Sequence, residues 1–337
     1  MLAVNLIISA LLPTVAIAAP TITNTNTTTA CTNPQKRVEF RNLTTVDRQQ
    51  YVDAIFCMSK KPSELGMSLL TSRLADFTYV HALLNDDIHF VAQFLPWHRW
   101  FLHLYEQDLR KCGYQGPLAY WDWTLDYQDL PNASIWDPVS GIGGDGVAPP
   151  GVSRRQSAMA DFGVDRSQPV YYFCVEDGPF KDLKVEYKSA NYVPHCLTRS
   201  FNNGNYFPGD MNGWAVSPST IANIMTKPDY DDFRQWLEGQ PHGAIHSAIG
   251  GDMGPSSSPN DPVFFLHHAQ VDRLWLQWQQ QSPEKAVDYG GRRAQDVPEG
   301  QQTSALTDIM EMLGLGKNLE VADVMSVQSE HLCYEYV

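Results

Sequence analysis

The sequence predicts a mainly α-helical protein: a four-helix bundle built in two halves, with long loops and a few short strands. Two observations carry this reading. Apolar residues recur at helical spacing in four long stretches, bracketed by helix start and stop residues. Between residue 114 and about residue 226 the periodicity gives way to Gly, Pro, Asn and aromatic residues, so the helical stretches fall into two pairs.

The first helix is announced by Thr44-x-x-Asp47, an N-cap with an acid in the first turn. Its apolar face is Tyr51, Ala54, Ile55 and Met58, and it ends near residues 57–60, before Pro62. A second stripe runs Leu70, Leu74, Phe77, His81 and Leu84, delivering a histidine onto a core-facing surface. The third helix lies in "LPWHRWFLHLYEQDLRKCG", where Pro96 suits the first turn and Gly113 the C-terminal cap. In the loop-rich middle, short strands are expected around "PVYYFCVED". Helices return with "KPDYDDFRQWLEG", the short "PHGAIHSAIG", and "DPVFFLHHAQVDRLWLQWQQQ", with Asp261 as N-cap and Pro262 at the first position. The tail from residue 282 is polar until "EHLCYEYV".

The formal charge of −14 excludes nucleic acid and anionic membranes as partners, because an acidic surface is repelled by both. A small, weakly charged substrate fits better. The opening "MLAVNLIISALLPTVAIAAP" is an apolar run followed by Ala16-Ile17-Ala18, and reads as a secretory signal peptide over 1–18. A flexible Thr/Asn/Pro-rich segment, 19–36, leads into one domain over 37–337. Secretion to the extracellular space also suits the Asn-x-Ser/Thr sequons at Asn26, Asn42 and Asn132. Six scattered cysteines with no C-x-x-C pair point to disulfides rather than a thiolate metal site. Many pairings are open; the expected one joins Cys31 to Cys333, Cys57 to Cys112 and Cys174 to Cys196.

The ten histidines are placed more tellingly than their number suggests. His242 and His246 stand four apart on one helix face, close enough to hold one ion, and His268 on the next helix offers a third imidazole. His81, His89 and His98 form a second such triple in the first half. A buried imidazole without a partner is costly, and six at core-facing positions are hard to satisfy by hydrogen bonds alone. Two three-histidine groups therefore predict a binuclear site between the halves of the bundle. Imidazole-only ligation suits copper, with zinc next.

These residues carry a resemblance. "HALLNDDIH…LPWHRWFLHLYE" followed by "HGAIHSAIGGDM…SPNDPVFFLHHAQVDRLW" resembles the type-3 copper family of tyrosinases, catechol oxidases and haemocyanins, over about residues 37–336. It is similar to short secreted fungal polyphenol oxidases. The resemblance implies two copper ions, one on His81, His89 and His98 and the other on His242, His246 and His268, with O₂ as co-substrate and a small phenol as substrate. It makes the second histidine of the "HH" pair the ligand. His267, roughly 100° around the helix, is expected to point elsewhere.

The resemblance also implies that Glu238, four residues before His242, is the acid that helps deprotonate monophenols. The family pairs that acid with an asparagine directly after the first ligand of the second copper; here Gly243 stands in that place. The expected reaction is therefore oxidation of o-diphenols and other ortho-substituted phenols to o-quinones, with weak monophenol hydroxylation. A full tyrosinase and a haemocyanin-like oxygen carrier are the alternatives. Some fungal members bind the second ligand of the first copper to a cysteine; Asp87 occupies that position, leaving His89 to packing alone. Phe264 and Phe265 are expected as aromatic walls of the substrate pocket. Asp272 is expected to orient an imidazole or to pair with Arg273. Tyr334-x-Tyr336 resembles the family's closing signature, clamped by Arg37 or Arg41 through cation–π contacts. Many relatives continue into a C-terminal domain that shields the site; with the sequence ending at Val337, no such domain is expected here.

Overall fold

The computed structural model describes residues 31–67, 69–152, 167, 171, 173–201, 211 and 213–337. Strand β1 (Gln35–Glu39) leads into helix α1 (Thr45–Met58). The Thr44 hydroxyl accepts the Asp47 backbone N–H at 3.0 Å and the Asp47 carboxylate accepts that of Thr44 at 3.3 Å, a reciprocal cap. Helix α2 (Arg73–Leu83) starts at a Ser72 cap, so Leu70 of the expected stripe precedes it and Leu84 closes it. A single turn, α3 (Asn85–Ile88), separates it from α4 (Phe94–Lys111). Pro96 stands at the third residue of α4, still among the backbone positions with no intrahelical donor duty. Gly113 follows the Cys112 cap at φ +93°, a conformation that suits glycine.

Beyond β2 (Leu118–Tyr120) come 3₁₀ turns and loops, as the composition predicts. The strands expected near 169–177 amount, among the described residues, to two isolated bridges, Gly146–Val175 and Cys174–Thr198. The regular hairpin forms downstream, from β3 (Lys184–Lys188) and β4 (Asn191–Cys196). Its alternation of buried Val185 and Tyr187 with more exposed neighbours is the period-two signal that marks it. Helix α5 (Pro218–Met225) lies where a loop was expected; the Ser217 cap with Pro218 at the first position is its start signal.

Helix α6 (Tyr230–Leu237) runs through a wider π turn, Glu238–His242, into α7 (Gly243–Ile249). Helix α8 (Val263–Gln279) begins after Pro262 rather than after an Asp261 cap. Buried Arg199 takes the Asp261 carboxylate in two bonds of 2.7 and 2.9 Å, although Asp261 Oδ1 still accepts the Val263 N–H. The polar tail holds α9 (Pro283–Val287) and the pair β5 (Ile309–Met310) and β6 (Leu319–Glu320) before β7 (Tyr334–Tyr336). Met310, Met312, Val321 and Val324 from this tail are buried in the main core.

The three expected disulfides are present: Cys31–Cys333, Cys57–Cys112 and Cys174–Cys196. The first closes a loop across a sequence separation of 302 and so restricts the unfolded chain strongly. Asn42 and Asn132 are exposed, whereas Asn26 and the expected signal segment lie outside the described residues. Among the described residues no helix is long and apolar enough to cross a membrane.

β1 is the middle strand of a parallel three-stranded sheet, between β2 and β7. Arg37 projects from it fully buried, with its guanidinium 3.5 Å from the Tyr334 ring centroid and 5.7 Å from that of Tyr336. Arg37 donates to Glu106 and Asp272, both at 3.2 Å. Asp272 on α8 also accepts from Arg99 Nε at 2.6 Å and from the hydroxyls of Tyr334 and Tyr336. Asp272 thus orients no imidazole, and Arg273 turns to Asp122 at 3.3 Å. The clamp uses Arg37; Arg41 pairs with Glu39 and Asp126 instead. Asp272→Ala leaves two guanidinium groups buried without their shared counter-charge and is expected to cost about 3–5 kcal/mol. Arg41→Ala removes partly exposed pairs and should cost about 1 kcal/mol or less. Chemical denaturation midpoints check the order, and equal losses would contradict it.

Candidate metal centre

The bundle brings both histidine groups together. His81 comes from α2, His89 from the residue after α3, and His98 from the second turn of α4; one ring nitrogen of each lies within 4.8 Å of the others. His242 closes the π turn, His246 follows on α7, and α8 contributes His268 together with His267, all four within the same limit. The π turn contains Pro241. The groups meet where the His98 and His268 rings stack, with centroids 4.4 Å apart and planes 15° apart.

Hydrogen bonds at the far side of five of the six rings set which nitrogen faces inward. Nδ1–H donates to a backbone carbonyl in five cases: His81 to Ser256 at 2.6 Å, His89 to Asn85 at 3.1 Å, His98 to Phe94 at 2.7 Å, His242 to Glu238 at 3.1 Å and His246 to Met253 at 2.7 Å. A neutral imidazole with its proton on Nδ1 carries a bare lone pair on Nε2. Buried Nε2 atoms of His242, His246, His267 and His268 have no hydrogen-bond partner, and neither has Nδ1 of His268. Nε2 of His81 and Nε2 of His98 stand 3.3 Å apart, two lone pairs facing one another. A cation relieves this arrangement; a hydrogen bond would require a second proton on one ring. The donor set, imidazole nitrogen alone, fits copper.

Burial keeps these rings neutral. It lowers the pKa of all six, with neighbouring imidazoles adding to the effect on His81, His98, His242 and His268; His89 and His246 fall to about 4. His89 is not held by packing alone: besides its bond to Asn85, its carbonyl accepts from Gln295 at 3.0 Å. Asp87 is exposed.

His267 does not point away from the centre, as expected, but joins it. It is fully buried, and its Nδ1 accepts the indole N–H of Trp123 at 3.1 Å. That bond occupies the lone pair of the neutral ring and moves its proton to Nε2, the reverse of the other five tautomers. The helical angle separates the two α8 histidines at their backbones, yet both side chains reach the same buried space.

Glu238 is buried, and both of its oxygens are engaged: Oε1 accepts the Phe90 backbone N–H at 2.6 Å and Oε2 accepts from Arg234 at 3.0 Å. Burial raises its pKa to about 7, partly offset by Arg234. Gly243 is ordinary helix, and a Cβ there would meet only the Glu238 carbonyl at 3.4 Å, so space does not dictate glycine. Phe264 lies against the centre, with its centroid 4.1 Å from His268 and 5.1 Å from His81. Phe265 turns the other way, stacking on Tyr105 and Phe101, and belongs to the hydrophobic core. Of the histidines outside the two groups, His103 bonds Gln107 and His195 bonds Asp252.

Residues 71–281 match the family model described as the common central domain of tyrosinase. A tyrosinase-like protein of Diaporthe leptostromiformis is 38% identical over 333 residues, which cover 93% of this chain and 82% of that protein. The N-acetyl-6-hydroxytryptophan oxidase of Emericella nidulans is 30% identical over 349 residues, covering 90% and 92%. Among solved structures, a mutant polyphenol oxidase from Thermothelomyces thermophila aligns with a TM-score of 0.73 at 28% identity, over 90% of this chain and 89% of that one. A functional unit of octopus haemocyanin shares the fold, with a TM-score of 0.52 at 18% identity, over 90% and 68%.

The lowered imidazole pKa values set a pH dependence for the metal-free protein. Unfolded histidine takes up a proton near pH 6.5, while His89 and His246 resist until about pH 4. Between those values the unfolded state binds more protons, so stability falls with falling pH, by about 1.4 kcal/mol per pH unit for each such ring. Copper on the same lone pairs keeps the native rings unprotonated, as burial already does, so it raises stability without changing this slope. Melting temperatures of metal-free and copper-loaded protein should therefore fall in parallel between about pH 6 and pH 4; a metal-free protein whose stability stays flat across that window would contradict the lowered pKa values of His89 and His246.

Proposed function

Because the chain belongs to the tyrosinase family of type-3 copper oxidases, we propose that it oxidises o-diphenols, and other ortho-substituted phenols, to o-quinones with O₂. The observation that carries this reading is the inward convergence of bare imidazole nitrogens from two groups of three. His81, His89 and His98 hold one copper ion, and His242, His246 and His268 hold the other. Bound copper would supply the redox chemistry, in which two diphenols each give up two electrons and two protons and one O₂ ends as two waters.

The protein's own residues set access and proton transfer. Phe264 closes the floor of the site and keeps water from the rings. Glu238, with its pKa near 7, is the acid best suited to take up a phenolic proton near neutral pH. Its two oxygens are already committed to Phe90 and Arg234, and Gly243 offers no side-chain amide to fix a water beside it. A monophenol needs that deprotonation more than an o-diphenol does, which favours diphenol oxidation over hydroxylation. His267 supports α8 through Trp123 and does not ligate, since its lone pair is spent on the indole. The indole-ring phenol named for the Emericella relative is consistent with a small phenolic substrate. Secretion is supported by the three disulfides, which persist in oxidising compartments.

Two expectations follow. Purified protein should hold two coppers per chain and take up oxygen briskly with catechol, more slowly with guaiacol and weakly with tyrosine; brisk tyrosine hydroxylation would overturn the inference from Gly243. His268→Ala should retain a single copper and lose activity, while His267→Ala retains both. The opposite outcome would assign the ligand to the wrong neighbour.

A further inference from the structure

Three of the five oriented imidazoles are positioned from within their own segments. His89, His98 and His242 each donate to the carbonyl four residues earlier. His81 and His246 instead depend on one foreign strap, residues 250–257, which presents the Met253 carbonyl to His246 and the Ser256 carbonyl to His81. The strap therefore touches one member of each group. Apart from the 3₁₀ turn Gly251–Met253 it has no regular structure, so something else must hold it.

Asp252 does so. Its carboxylate is buried and accepts four hydrogen bonds. Oδ2 takes the Thr198 backbone N–H at 2.8 Å and the Thr198 hydroxyl at 2.7 Å. Oδ1 takes His195 Nε2–H at 2.9 Å and Asn260 Nδ2 at 3.0 Å. His195 also donates Nδ1–H to the Val193 carbonyl, so both of its ring nitrogens face acceptors. Two donors on one imidazole make it an imidazolium, the natural partner of a buried carboxylate. The strap lies tight on Thr198–Ser200: Gly250 and Gly251 have φ of +59° and +53°, and a Cβ would meet the Ser200 carbonyl at 2.6 Å or the Thr198 carbonyl at 2.4 Å. Cys196 beside this anchor is tied to Cys174.

We propose that Asp252 is a positioning residue for both copper sites at once, fixing through Thr198 and His195 the strap whose carbonyls orient His81 and His246. The inference rests on the copper reading above. Partners that orient a metal-binding imidazole from behind typically govern metal affinity by about 10–100-fold. What is distinct here is that one carboxylate acts on two ions.

The test is copper retention by full-length, copper-loaded protein dialysed against a graded chelator, with copper counted per chain and the EPR signal of an uncoupled cupric ion followed alongside. Asp252→Ala should weaken both sites together, by roughly tenfold or more. Thr198→Val, which keeps the backbone N–H and removes one bond, should fall between it and the wild type. Ile55→Ala, a core substitution on α1, a helix that makes no hydrogen bond to the strap, serves as the control: it should lower the melting temperature and leave copper retention unchanged. If Asp252→Ala does not fold, the graded position of Thr198→Val against Ile55→Ala decides. Wild-type retention in Thr198→Val, loss from one site only, or equal loss in Ile55→Ala overturns the proposal. A wild-type chain holding fewer than two coppers defeats the copper reading itself, whereas a wild type with two and an unaffected Asp252→Ala defeats only this inference.

Discussion

A backbone carbonyl behind an imidazole is a modest hydrogen bond, yet the chemistry of this protein depends on five of them. Each pins a proton on Nδ1 and so leaves Nε2 bare, in a space where burial forbids the ring to protonate. Without those carbonyls the rings could pair with one another as donor and acceptor, and the cluster would be an ordinary buried polar network. With them, inward lone pairs face lone pairs, as between His81 and His98, and only a cation makes the arrangement favourable. The contrast with His267 is instructive: one indole N–H on the opposite nitrogen gives the same side chain, in the same pocket, the reverse tautomer.

Those carbonyls must themselves be held still, and the fold does this with buried charge. Helix α8 carries His268 at one end of a turn and Asp272 at the other. Asp272 gathers Arg37 from β1, Arg99 from α4 and two tyrosine hydroxyls from β7. Opposite it, Arg199 and Asp261 lock the start of α8 to the loop-rich middle. Such pairs contribute little net stability compared with apolar packing, because desolvation offsets most of their attraction. They do fix register: a helix whose carboxylate must meet two guanidinium groups cannot slide by a turn.

Much of this was legible in the sequence because periodic apolar patterns and histidine spacing are local signals. The α1 cap, the helical faces and the His242–His246 pair are read directly from residues three or four apart, and the presence of disulfides from an even, scattered set of cysteines. What escaped depends on partners far along the chain. Asp261 looks like a cap until Arg199 arrives from 62 positions away. Asp272 and Arg273 look like an intrahelical pair until Arg37 and Arg99 claim the acid. Phe264 and Phe265 are indistinguishable as letters, and only the rotation of α8 sends one to the centre and the other to the core. Asp252 and the orienting carbonyls left no signal, since a backbone oxygen has no letter.

The placement of β1 between β2 and β7 has a consequence for biosynthesis. The strand that opens the domain waits, with a buried arginine, for a partner spanning residues 334–336. Until residues 333–336 leave the ribosome, Arg37 and Asp272 lack the tyrosines that complete their surroundings, and Cys31 lacks Cys333. The surroundings of Asp272 on α8 are therefore completed only once residues 334–336 have been synthesised.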